Sequence, residues 1–121
     1  MLTGSFCTIK NSLIQGDQMT TTLTINADHE IFQGHFPGMP VVPGVCMVEM
    51  IKEILEEVVG KRTNLKKAGN IKFLHVLDPN IHPEISAEVR VKELPNGWTI
   101  SAKLFKDELV FFKMDAGFES A

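Results

Sequence analysis

A chain of 121 residues has the usual size of one domain, and residues 1–121 are read as a single domain with no room for a second. An apolar share of 44% and a net charge of −3 describe a soluble globular protein, and give neither nucleic acid nor an anionic membrane anything global to grip. Two cysteines, Cys7 and Cys46, are too few for a disulfide framework and read as small buried apolar side chains. Met1-Leu2-Thr3-Gly4 lacks the charged region and apolar run of a signal peptide, and no apolar stretch approaches the roughly 20 residues of a transmembrane helix. A reducing cytoplasm without membrane insertion is therefore expected.

The chain opens with β patterning from Ser5 to Phe32. Phe6 to Lys10 leads to Leu13-Ile14, Gly16-Asp17 offers a turn, and Met19 to Ile25 is a threonine-rich stretch of high β propensity. Gln33 to Gly44 then holds three prolines and three glycines among twelve residues, which excludes regular structure and predicts a rigid loop. After Pro43-Gly44 the period becomes helical: Val45, Val48, Ile51, Leu55 and Val58-Val59 recur every three or four residues, and Gly60 ends the run. From about Lys66 the pattern returns to β. Ile85, Ala87, Val89 and Val91 alternate with polar residues, and Asn96-Gly97 is the strongest hairpin signal. Trp98 to Phe105, a turn at Lys106-Asp107-Glu108, and Leu109 to Phe118 close the series. Two strands, one long helix and about four further strands predict an α+β fold in which an antiparallel sheet wraps the helix.

The stretch from Gly34 to Val45, GHFPGMPVVPGV, with Glu49 in the helix behind it, concentrates chemistry. A histidine can act as base or acid near neutral pH, and a proline- and glycine-locked loop would hold His35 in a fixed pose. The N–H groups opening the helix form an anion site, and Glu49 could stand opposite the histidine. A base, an acid and a dipole suit removal of a proton α to a carbonyl with expulsion of a β-hydroxyl. A helical wheel alone, however, puts Glu49 on one polar arc with Glu53 and Glu56, and reads it as solvated.

This run resembles the active-site signature of the FabZ-type 3-hydroxyacyl-[acyl-carrier-protein] dehydratases, GHFPGxPxxPGV before a helix bearing a glutamate. FabA-type relatives carry aspartate there, so Glu49 favours the FabZ side, and Ile31-Phe32-Gln33 resembles that family's lead-in. The resemblance covers about residues 31 to 53. It implies the hot-dog fold, with the helix inside a curved antiparallel sheet of about six strands, and a homodimer that can assemble further into trimers of dimers. It implies a site shared between subunits, His35 taking the α proton and Glu49 protonating the leaving hydroxyl. The Gly44 N–H, with Val45 beside it, would polarise the thioester carbonyl, and the Val41 carbonyl would orient the His35 ring. Gly34, Phe36, Pro37, Gly38 and Pro43 would complete the active-site loop. No metal or dissociable cofactor is implied: the substrate arrives on the phosphopantetheine of acyl carrier protein and lies in an apolar tunnel.

Departures suggest a specialised member. Met50, Ile51 and Glu53 replace small residues and a glutamine, tyrosine is absent, and Leu77 to Pro83 stands where a proline-glycine-aspartate turn is common. FabZ-type enzymes normally begin with an aromatic-proline segment, and this chain starts downstream of it. A hot-dog acyl-thioesterase is a competing reading, although such enzymes lack this loop; a non-catalytic acyl-thioester-binding subunit is another. His29, His75 and His82 fit no common metal-ligand spacing. Lys61, Arg62, Lys66 and Lys67 read as a solvated helix exit, with docking of an acidic carrier as the functional alternative. Met39, Met47 and Met50 are taken as adaptable packing.

Overall fold

The computed structural model describes residues 6–34 and 40–121. Strands β1 (Cys7–Gln15) and β2 (Gln18–Ile25) form a hairpin across Gly16-Asp17. The short helix α1 (Ile31–Gly34) and the long helix α2 (Gly44–Val59) follow, then β3 (Thr63–Phe73), β4 (Glu84–Leu94), β5 (Gly97–Lys106) and β6 (Leu109–Ser120). All six strands join one antiparallel sheet in the order β1-β2-β4-β5-β6-β3. This is the hot-dog arrangement, with β1 and β3 as its edges.

Period-two patterning decides which sheet face is dry. Met19, Thr21, Leu23 and Ile25 of β2, Ile85, Ala87 and Val89 of β4, and Trp98, Ile100, Ala102 and Leu104 of β5 are all buried. Phe112, Met114, Ala116 and Phe118 continue that face on β6. Against it α2 lays Cys46, Met47, Met50, Ile51, Ile54 and Leu55, spaced so that one stripe turns inward. Each large side chain so removed from water contributes roughly 1.5–3 kcal/mol before conformational entropy is charged against it. Thr21 is tolerated in this face because its hydroxyl lies 2.7 Å from both the Asn11 carbonyl and Ser12 Oγ.

Gly60 closes α2 in the left-handed region, φ 71°, where its N–H donates to the Glu56 carbonyl at 2.9 Å. Three local readings change. Ile31–Gly34, expected partly as strand and partly as loop, forms a helical turn, which the His29 ring starts by accepting the Ile31 N–H at 3.1 Å. Strand β3 begins at Thr63 rather than near Lys66, because register shifts at Leu65/Lys67 and Ala68/Asn70 erase the alternation that would reveal it. The β4–β5 hairpin turns on Pro95-Asn96, one residue before the expected Asn96-Gly97. Gly97 instead opens β5 opposite Glu119, at a spot where a Cβ would collide with the Phe118 carbonyl oxygen.

Candidate active site

Pro43 precedes α2 in an extended conformation, φ −61° and ψ 146°, and no side chain caps the helix. Its carbonyl accepts the N–H groups of Cys46 at 3.0 Å and Met47 at 3.2 Å. Gly44 and Val45, the first two helical residues, therefore have N–H groups that α2 itself cannot satisfy, at the end where its dipole is positive. Val45 is 76% exposed, unusual for a valine on the first turn of a core helix.

Beside this terminus lies a cavity of about 270 Å³ walled by Val41, Val42, Gly44, Met47 and the segment from Phe73 to Leu77. The Val42 N–H to the Leu77 carbonyl, 2.9 Å, and the Leu74 N–H to the Phe111 carbonyl, 2.9 Å, fix its rim. The Phe73 ring covers Gly44 so closely that a Cβ there would stand 2.8 Å from two ring carbons. Gly44 is thus needed for close approach. Phe73 remains 58% exposed, Val76 68% and Leu74 45%, so the outer wall is apolar and open. Sequence reading missed this wall, although the run Phe73-Leu74-His75-Val76-Leu77 is apolar beyond what a solvated strand exit needs.

Glu49 is half-buried and is not among the cavity's walls. Five residues of helix put its position about 140° around the helix axis from Gly44. It faces instead the side of α2 shared with Glu53, which is only 7% exposed. Burial pushes the Cys46 thiol above its ordinary range, with the Glu49 charge adding to the shift. Burial first, then the charges of Glu53 and Cys46, pushes Cys7 up to about 11. Glu56 accepts the Thr63 N–H at 2.7 Å, so the supposed solvated arc of Glu49, Glu53 and Glu56 is largely engaged.

Of the expected site residues, Val41, Pro43, Gly44 and Val45 gather at the α2 terminus, and Gly34 ends α1 in an exposed position. His35, Phe36, Pro37 and Gly38 lie outside the described residues, as does Met39. The remaining histidines have structural contacts: His29 meets the Phe6 ring edge-on, His75 Nδ1 lies 3.0 Å from the Val110 carbonyl, and His82 packs on Phe111. Among the described residues no helix is long and apolar enough to cross a membrane.

The profile of the ApeI-like family, described as ApeI dehydratase, matches residues 11–108. The chain belongs to this dehydratase family. It is 30% identical over 115 residues to the 3-hydroxyacyl-[acyl-carrier-protein] dehydratase FabZ of Levilactobacillus brevis, covering 89% of this chain and 77% of that one. The FabZ of Lactiplantibacillus plantarum is 28% identical over 100 residues, 77% of this chain and 67% of that one. Among solved structures, a chain of the dehydratase heterocomplex ApeI:P from Xenorhabdus doucetiae superposes with a TM-score of 0.73. That match covers 92% of this chain and 96% of the other at 16% identity, which speaks for the fold.

Proposed function

We propose that this member of the family reversibly dehydrates a 3-hydroxyacyl thioester, carried on the phosphopantetheine of an acyl carrier protein, to the trans-2-enoyl thioester. The observation that carries the reading is the uncapped start of α2 opening on an apolar cavity, at the end of a stretch, Gly34 to Val45, that resembles the FabZ-type signature. The Gly44 N–H, with Val45 beside it, stabilises the negative charge that grows on the thioester oxygen as the α C–H bond breaks. His35 receives that proton, its ring oriented by the Val41 carbonyl. Glu49 delivers a proton to the β-hydroxyl as the C–O bond breaks, and water leaves. The scheme uses no metal and no dissociable cofactor, since base, acid and dipole balance every charge that develops.

The active unit in this reading holds two chains. Within one chain Glu49 is turned away from the Gly44 cavity, and Val45, Phe73 and Val76 expose apolar surface beside the edge strand β3. A second copy pairing along β3 would cover that surface and supply the acid. The relative from X. doucetiae belongs to a dehydratase heterocomplex, so a sister chain is the alternative partner. Sedimentation of the purified protein decides between them.

Activity is tested by following the enoyl chromophore with a 3-hydroxyacyl or crotonyl thioester, for the wild type, His35→Ala and Glu49→Gln. Turnover lost in both variants is expected. Release of free thiol would instead assign a thioesterase, and binding without turnover an accessory subunit.

A further inference from the structure

The outer face of the sheet carries a feature that neither the fold nor the proposed chemistry requires. Lys103 of β5 stands directly opposite Lys113 of β6, which stands directly opposite Lys72 of β3. Cross-strand neighbours of this kind have Cβ atoms roughly 5 Å apart, and like charges so placed weaken a sheet. Among the described residues only the inner end of the row is balanced, where Lys103 Nζ lies 3.3 Å from Glu88. Lys103 also sits 4.8 Å above the Phe105 ring, which holds its ammonium in place. Among the described residues neither Lys72 nor Lys113 has an ion-pair partner. In the adjoining row Arg90 and Asp115 flank Ser101, Arg90 donating to Gln18 at 2.7 Å. Together these side chains border a depression of about 460 Å³. Four cations against two carboxylates give this face a net positive charge on a chain whose total is −3.

We propose that this lysine row is a docking surface for an acidic segment of another protein, whose carboxylates sit between the three lysines. Charge complementarity selects the class of partner. A row that repels itself in the free protein is relieved when anions are laid along it. Glu88 and Asp115, fixed beside the row, would repel a uniformly anionic strand or bilayer, whereas a protein surface can place its own charges around them. The row also presents no free aromatic for stacking on bases and no apolar wedge for insertion into lipid, since Phe105 lies under Lys103. The other basic pair, Lys61 and Arg62, is exposed beyond the far end of α2, and the depression of about 410 Å³ that Lys61 lines also carries Asp17 and Glu93, whose two carboxylates outweigh its one cation.

The probe is a fluorescein-labelled octaglutamate peptide, titrated by anisotropy against the full chain at low and at physiological salt. Binding that weakens with salt is expected, with at least a tenfold loss in Lys72→Glu/Lys113→Glu and less than a twofold change in Lys61→Glu/Arg62→Glu. Equal loss in both double variants would overturn the assignment, as would no binding. Tighter binding of a single-stranded oligonucleotide, or of phosphatidylserine-containing vesicles, would overturn it in favour of those partners. A second readout needs no ligand. Lys113→Gln should raise the melting temperature, because it removes repulsion from a row maintained for binding; a fall would make the row a structural feature and end the proposal.

Discussion

Replacing Gly44 by alanine adds one methyl group at the most crowded point of the candidate site. Its Cβ would stand 2.8 Å from Cε1 and Cζ of Phe73. Ordinary carbon contacts begin near 3.5 Å, so the ring must retreat by roughly 0.7 Å. The ring is the free end of a half-solvated side chain, leaning on Phe112 with centroids 5.2 Å apart, so it can yield in part. The strain then falls at the low end of overpacking, about 1–2 kcal/mol, and is offset by up to about 1 kcal/mol from the lost flexibility of glycine in the unfolded chain. A net destabilisation of about 1 kcal/mol follows, or roughly 4 °C in melting temperature for a chain of this size. The decisive form is a double-mutant cycle by urea denaturation. In a Phe73→Ala background the clash is gone, so Gly44→Ala should become neutral or stabilising, with a coupling energy of about 1–2 kcal/mol. Equal destabilisation in both backgrounds would refute the contact.

Other consequences follow from the same structure. Gly97→Ala aims a Cβ at the Phe118 backbone, which cannot rotate away, and should cost about 3 kcal/mol or more, seen as loss of the cooperative melt. Glu56→Ala leaves the buried Thr63 N–H without its acceptor and should lower stability by about 1–2 kcal/mol in urea titration. Cys7 is neutral in the folded chain until about pH 11, whereas in the unfolded chain its thiol ionises near 9.0. The unfolded state therefore holds fewer protons between those values, and stability present below pH 9 is lost as pH rises toward 11, by on the order of 2 kcal/mol. Cys7→Ala should flatten that alkaline slope; an unchanged slope would contradict the buried thiol. Both cysteines should resist thiol reagents at pH 8 until the chain unfolds.

Much of the fold could be read where one face of an element is buried. The alternation from Ile85 to Val91 and the three- and four-residue spacing in α2 are direct images of burial, and both elements lie where that pattern puts them. Reading failed where another force set the backbone. The bulges of β3 scramble its alternation, and the contact of Gly97 with β6 overrides the local turn preference of Asn96-Gly97. At the candidate site, the start of α2 at Gly44 was legible, because proline and glycine spacing is local. That spacing could not give Phe73, which reaches Gly44 from a strand nearly thirty residues later, nor show that the acidic arc of α2 is half hidden, since a helical wheel knows nothing of β1 and the chain beyond Gly60.

In the proposed mechanism one chain's His35 works with the other chain's Glu49 at a cavity headed by Gly44. The most direct test mixes His35→Ala with Glu49→Gln, each inactive alone, under conditions that allow verified subunit exchange. Random pairing makes about half of the dimers mixed, each with one intact site, so about a quarter of wild-type enoyl-thioester turnover should return. Continued inactivity of the exchanged mixture, beside an active wild type, would contradict a site built from two chains.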